Sequence, residues 1–580
     1  MLYFRLIRKL RLLLGGKYWR RVPLLVLLMI IAGVFETISV SIILPFMDIV
    51  IRPEYGMNKW YIRDICHIFR INSPTILIAL ISIFLALLYL IKNAYLVWEI
   101  RVQQKFVSYS MKDVRQKLLT ILINRPYEYY IEANTGNILT IMNGHMEHIS
   151  DMLGRFFNMM GEAVTVCMLI LALVIVIPQA SILMGTLLGI VLFFVLKVIR
   201  PVLGKESQNN QAATDGMYKW ILQSIQGIKE VKVMKSEQFF LEQYSRSGEV
   251  HARAMYRYMV WSSIPRSLIE TFIMSSFFLA IAVYIIFGHE LTNIIPAITM
   301  IAMATVRLLP AANRISTSMG SVIFSEGYID DILGFYEENT ENSACYENKN
   351  FKGHIEKFNN SIDISHVSYH YPKSDEMVLK DISLTISKGE SVGIVGVSGA
   401  GKSTLMDIIL GLLEPIEGEI YVDNTNIKCN YEEWVSMIGY IPQSIFLMDD
   451  SIRLNVAFGT SIDKIDDDEV WKSLDNASLG DFVRKLPKGL DTEIGERGVR
   501  LSGGQRQRIG IARALYRNPQ ILCMDEATSA LDNETEEAII DSISRLKGQK
   551  TLIIIAHRLT TIEECDHIYR VETGKIVPVR

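Results

Sequence analysis

The chain is poor in cysteine and carries no marked excess of either charge. Its 580 residues include six cysteines, at 66, 167, 345, 429, 523 and 565. They share no spacing that suits a metal site or a disulfide framework, so they read as free thiols. Lys and Arg number 59 against 62 Asp and Glu, for a net charge of −3. No nucleic-acid partner is expected from that balance. The basic start is followed by an apolar stretch too long for the core of a signal peptide and without a small-residue cleavage site, so no cleavable leader is expected. Pro, Gly and Ser tracts are missing even from the two long connections at 99–155 and 201–261. These connections are therefore expected to be helical rather than loose.

What the sequence does hold is unevenly placed. Apolar residues make up 50% of the chain, and their excess lies before residue 320. There they form six runs, near 23–51, 74–98, 156–178, 181–200, 262–287 and 291–313, each long enough to cross about 30 Å of hydrocarbon. The short connections around 178–180 and 289–290 hold no Lys or Arg, whereas 99–155 and 201–261 hold many. Cationic loops stay on the cytoplasmic side, which puts the long connections and both termini there. Residues 1–21 carry seven Arg and Lys and no acid, with Leu and Ile at helical spacing. Residues 1–22 therefore read as an interfacial helix on a membrane face, the alternative being a disordered basic tail. A short outer helix is expected within 52–73, where Trp60, Ile62, Ile65, Ile68 and Phe69 make an amphipathic run. The membrane domain then spans 23–330, a linker 331–360, and a mixed α/β domain 361–580.

The second half is organised around Gly396, Val397, Ser398, Gly399, Ala400, Gly401, Lys402, Ser403 and Thr404. They fit G-x-x-x-x-G-K-[ST], in which glycines let backbone N–H groups close on phosphates at the start of a helix. The apolar run at 391–395 reads as the strand before that loop, and 405–412 as the helix after it. A bland Gly-rich turn is the alternative. Lys402 would reach the β- and γ-phosphates of ATP, and Ser403 would hold Mg²⁺. Residues 521–526 form an apolar strand ending in Asp525, suited to Mg²⁺, and Glu526, suited to polarising water for in-line attack. Gln443 would reach Mg²⁺ or that water, and Tyr371 would stack on a purine. His557 would contact the γ-phosphate, or serve structure only. Ser502, Gly503, Gly504 and Gln505 begin a helix and so make a second phosphate-binding end, more than one P-loop site requires.

All of these in order, with Ser-Ala-Leu-Asp at 529–532, resemble the ATP-binding cassette domain. In that family the Leu-Ser-Gly-Gly-Gln loop of one copy closes over ATP held by another. The resemblance therefore implies a dimer with two ATP sites, and six spans ahead of one cassette look like a half-size ABC exporter working as a homodimer. It also implies domain-swapped cytoplasmic arms, with coupling loops near 129–136 and 227–237. The implied fold class is an all-α six-helix transmembrane domain followed by an α/β P-loop domain.

Cargo is read from ionisable residues within the apolar runs, since such groups are costly there and tend to face a cavity. They are Glu36, Lys92, Glu162, Arg266, Glu270, Arg307 and Arg314. The cations could be snorkelling anchors, or could pair with Glu36 or Glu162. Phe35-Glu36-Thr37, Pro265-Arg266, and Arg307 through Pro310 to Arg314 resemble PglK-type flippases of lipid-linked oligosaccharides. That resemblance implies a polyprenyl-pyrophosphate oligosaccharide as cargo, its pyrophosphate engaged by Lys92, Arg266, Arg307 and Arg314, moved across a bacterial cytoplasmic membrane. Lys stands at 92 where that family has Arg, which removes a bidentate fork. Other readings are an exporter of another amphiphile (lipid, peptide or drug), and an ATP-gated channel or regulatory protein.

Overall fold

The computed structural model describes residues 2–51, 63, 73–133, 135–176, 193, 195–286, 295–347, 358–429, 431–526, 544–556 and 562–580. Two compact units result, one of Met1–Arg125 with Glu132–Cys345, the other of Pro126–Ile131 with Tyr346–Arg580.

The first unit is helical. Among the described residues three helices are long and apolar enough to cross a membrane: Val22–Ser41, Pro74–Ile123 and Gly136–Ala172. They hold residues 23–41, 74–98 and 156–172 of the first three expected spans. Residues 262–286 of the fifth and 295–313 of the sixth fall in the helices Glu237–Ile286 and Ile295–Glu347. Most of the fourth, and nearly all of the expected outer helix, lie outside the described residues. Pro74–Ile123 has 50 residues, which at about 1.5 Å per residue is more than twice the hydrocarbon thickness, so the helix runs far beyond its apolar part. Likewise the connection 201–261 is a helical hairpin, in which Arg200–Gln226 packs along Glu237–Ile286 through a short Ile228–Val233 turn of helix. Ile295–Glu347 continues through the first part of 331–360. Close approach between Val22–Ser41 and Met146–Val176 depends on small residues. A Cβ on Gly33 would stand 2.9 Å from Met168 Sδ.

The N-terminal segment is helical over Leu2–Trp19, and it differs from a helix lying wholly on a membrane face in that part of its apolar side is covered by protein. Leu6, Leu10, Leu13 and Leu14 are buried inside the unit. Acids on neighbouring helices explain the difference, because Lys9 pairs with Glu326 at 3.3 Å and Lys17 with Asp113 at 2.9 Å. Tyr18 donates to the same Asp113 at 2.7 Å. Arg5, Arg8 and Arg11 remain on the exposed side.

Among its described residues the second unit holds ten strands: β1 Ser361–Tyr369, β2 Leu379–Ser387, β3 Ser391–Val395, β4 Glu417–Val422, β5 Thr425–Asn426, β6 Ile438–Ile441, β7 Ile521–Asp525, β8 Thr551–Ile555, β9 His567–Glu572 and β10 Lys575–Pro578. One sheet has the order β2-β1-β4-β5 and is antiparallel throughout. The other has the order β10-β9-β3-β8-β7-β6 and is parallel except for β10. Every residue of β3, β7 and β8 is buried, as parallel strands covered on both faces require. Helices Asp467–Asn476, Gly480–Arg484 and Gly503–Tyr516 close a second core through Val470, Leu474, Val483 and Ile509.

Candidate functional site

The loop after β3 opens onto the helix Lys402–Ile409, as the motif demands. Gly401 has φ 103°, and a Cβ there would stand 2.9 Å from Leu379 Cδ2 and 3.1 Å from Val378 O, so only glycine fits. Lys402 is buried and donates to Gly396 O at 3.0 Å and Val397 O at 3.1 Å. The ammonium thus closes the loop on itself and stands 4.0 Å from Glu526 Oε1. Ser403 donates to Asp525 Oδ1 at 3.4 Å. Gln443 Nε2 donates to Glu526 Oε2 at 2.5 Å. Tyr371 OH and Thr404 Oγ1 are 2.9 Å apart, which ties the aromatic to the start of the P-loop helix.

Glu526 follows β7 in the left-handed region, at φ 49°, and its N–H donates to Ile555 O at 3.0 Å. Such a conformation is costly for a non-glycine residue, so the β7–β8 backbone dictates where this carboxylate sits. Tyr371, Asp525, and Glu526 with Gln443 are thus each brought to one of the consecutive residues Thr404, Ser403 and Lys402. Ser502 to Gln505 form the start of Gly503–Tyr516 as a capping box: Ser502 N–H donates to Gln505 Oε1 at 2.9 Å and Ser502 Oγ accepts from Gln505 N–H at 3.2 Å. Their hydrogen bonds stay within that helix end. His557 and residues 529–532 lie outside the described residues.

One acid escaped the motif reading. Asp407, on the P-loop helix, is pushed up to about 6 by burial and then by the Asp525 carboxylate. An acid whose pKa rises on folding favours the folded state while protonated, and its contribution is lost as pH climbs from the ordinary aspartate value of about 3.9 to about 6. Asp407→Asn is therefore expected to raise the thermal midpoint of nucleotide-free protein above about pH 6 and to leave it unchanged near pH 4, as calorimetry would show. A pH-independent effect would contradict this. Nothing in its spacing from Lys402 marks it, since the crowding with Asp525 arises only when β3 and β7 are brought into one sheet.

In the helical unit a cavity of about 1160 Å³ is lined by four arginines and four acids, among them Arg307, Arg314, Glu99 and Glu162. Arg307 Nη2 pairs with Glu36 Oε1 at 2.8 Å, and Arg314 Nε with Glu162 Oε1 at 2.6 Å. Lys92 pairs with Glu36 Oε2 at 3.3 Å and is buried. Lys92 and Arg266 line no part of this cavity, and Arg266 is exposed on its helix. Among the four cations read from sequence, then, the structure brings three to carboxylates, which is the intramembrane pairing left open above.

Helices long and apolar enough to cross a membrane, on one chain with a P-loop domain whose lysine stands 4.0 Å from the Glu526 carboxylate, define the class of a membrane transport ATPase. The family models agree. One described as ABC transporter matches residues 379–529, and one described as ABC transporter transmembrane region matches 22–307. The heterocyst differentiation ATP-binding protein HepA of a Nostoc species is 30% identical over 456 residues, covering 77% of this chain and 72% of the relative. The chain therefore belongs to the ABC transporters, and it hydrolyses ATP to drive transport. An ATP-dependent lipid A-core flippase of Alkalilimnicola ehrlichii is 29% identical over 568 residues, 97% of this chain and 91% of the relative. The solved structure of a bacterial Atm1-family ABC exporter with ATP bound matches with a TM-score of 0.78 at 21% identity, covering 97% of this chain and 95% of that one. This last likeness gives the fold: a helical transmembrane domain followed by an α/β nucleotide-binding domain.

Proposed function

We propose that the chain is an exporter that works as a homodimer and flips a lipid with a phosphorylated head group, a polyprenyl-pyrophosphate-linked oligosaccharide, from the inner to the outer leaflet of a bacterial cytoplasmic membrane. Its N-terminus, cassette and C-terminus are cytoplasmic in this reading. The observation that carries it is the cavity, in which Arg307 and Arg314 face a space of about 1160 Å³. Guanidinium groups keep their charge in low dielectric and match phosphate oxygens with parallel hydrogen bonds. The lipid A-core flippase, which aligns over 97% of this chain, adds weight to a lipid as cargo. The dimer is supported by the apolar tip of the second long connection, where Val233 is 77% and Met234 76% exposed. A surface of that kind suits a groove on a second copy.

In the cassette, backbone N–H groups of 396–404 would cradle the phosphates, with Lys402 leaving the Gly396 and Val397 carbonyls to reach them. Tyr371, held by Thr404, would stack on adenine. Ser502 to Gln505 would close over the phosphates from the partner copy. Glu526 would polarise the attacking water as general base, oriented by Gln443, while His557 would touch the γ-phosphate. The donors around Asp525 fit Mg²⁺: they are all oxygen, with Ser403 beside Asp525 and with Asp407 crowded against that carboxylate. The ion, when bound, neutralises phosphate charge.

The four acids of the cavity favour a second reading, an exporter of cationic drugs; a multidrug resistance transporter of Lactococcus lactis is 29% identical over 80% of this chain. Flipping in proteoliposomes separates the two. Arg307→Ala and Arg314→Ala are each expected to reduce flipping of pyrophosphate-linked lipid at least tenfold, the loss of one charge-assisted pair, with basal ATPase activity retained. Lys in place of either Arg should recover only part. Wild-type flipping throughout the series would withdraw support from the phosphorylated cargo.

A further inference from the structure

Three helices meet at one buried carboxylate. Glu36, 3% exposed, takes Arg307 on one oxygen and Lys92 on the other. Two cations on one acid leave a local excess of positive charge, which is costly away from water unless a further anion completes it. The cations differ in access. The Lys92 side chain is 8% exposed and sits 4.4 Å over the Tyr89 ring. Arg307 lines the cavity with its side chain 27% exposed, and its Nε has no hydrogen-bond partner among the described residues. An anion entering from the cavity therefore meets Arg307 and not Lys92.

We propose that Glu36 is a displaceable counter-ion: the phosphate of a lipid head group takes Arg307 from it, and Lys92 stays behind to neutralise the carboxylate. This rests on the phosphorylated-cargo reading and changes the place of Lys92 within it. Lys92 becomes a positioning residue that never touches the head group, and Glu36 a selectivity residue. Glu36 offers Arg307 one oxygen, whereas a phosphate offers several in the geometry a guanidinium prefers, so the exchange favours the ligand. A head group without phosphate cannot compete for the guanidinium, so the same carboxylate screens out neutral lipids. The other pair has no such reserve. Glu162 Oε2 is buried without a hydrogen-bond partner among the described residues, so taking Arg314 away would leave that acid bare. Arg307 is accordingly the arginine that hands over first.

The test uses the full-length protein in nanodiscs of phosphatidylethanolamine and phosphatidylglycerol, with polyprenyl pyrophosphate and polyprenyl alcohol as probes. Lys92→Gln is expected to weaken pyrophosphate binding about tenfold, because Glu36 then holds Arg307 with its whole charge. Lys92→Arg should restore it. In a Glu36→Gln background Lys92→Gln should cost less than about twofold, since no carboxylate is left to neutralise. An equal loss in both backgrounds would mean that Lys92 touches the head group, and the exchange would fall while the functional reading stood. Should Glu36→Gln not insert, an Arg307→Gln background serves: there Lys92→Gln should add nothing, and a further loss overturns the exchange. Wild-type protein that binds the alcohol as well as the pyrophosphate would remove the functional reading itself, and the exchange with it.

Discussion

Glu526→Gln is expected to cut steady-state ATP hydrolysis by about 10²–10⁴-fold while leaving ATP binding intact. The two functions use different atoms. In the proposed roles, binding would rest on the loop 396–404, Lys402 and the Ser403–Asp525 pair, whereas water activation would fall to Glu526. The amide is nearly isosteric, and the position is set by the backbone at φ 49° with its N–H on Ile555, so the variant should keep its geometry. It loses only the basicity. ATP should then hold two copies closed, and turnover together with crosslinking between Ser502 of one copy and the P-loop of the other would read both effects. Hydrolysis at the wild-type rate would show that another group activates the water.

The second large effect concerns the dimer. Chains bearing Lys402→Ala and chains bearing Ser502→Arg should each be inactive as homodimers, the first for want of a phosphate ligand, the second through a bulky cation at the helix end. Mixed dimers carry one site in which Lys402 and Ser502 are both intact. ATPase activity should therefore reappear on mixing, up to about half of wild type for one of two independent sites. A requirement for two working sites would give no recovery, yet the sandwich would still crosslink. Neither activity nor crosslink would refute the shared site.

Much of the cassette was legible because its signals are local. The apolar run that forms β3, the glycines of the loop, and the acids closing β7 lie within stretches of a few residues, and parallel strands buried on both faces announce themselves as unbroken apolar runs. Asp407 was not legible, since its crowding with Asp525 exists only across the sheet. In the helical unit the charged residues could be named but not paired. Glu36 and Arg307 are 2.8 Å apart in space yet belong to the first and sixth runs, and no periodicity links them. The N-terminal stripe of Leu6, Leu10, Leu13 and Leu14 shows the limit of amphipathic patterns. A pattern tells that one face is apolar, but whether lipid or protein covers it depends on acids elsewhere, here Glu326 and Asp113.

The capping box at Ser502 bears on how fast the transporter can close. A helix end usually begins with unpaired N–H groups and frays, and a loop that must order itself around a ligand spends conformational entropy at that moment. Here the Ser502 N–H and the Gln505 N–H are already satisfied by each other's side chains. The N–H groups of Gly503 and Gly504 stand at the first two helical positions, aimed outward, and the Ser502 hydroxyl, accepting in the cap, still has its own proton to donate. The phosphate grip proposed for this helix end would thus be assembled before ATP arrives. Closure of the proposed dimer would then cost the docking of two preformed surfaces with little local folding, and the tempo of the cycle would pass to the slower rearrangement of the long helices.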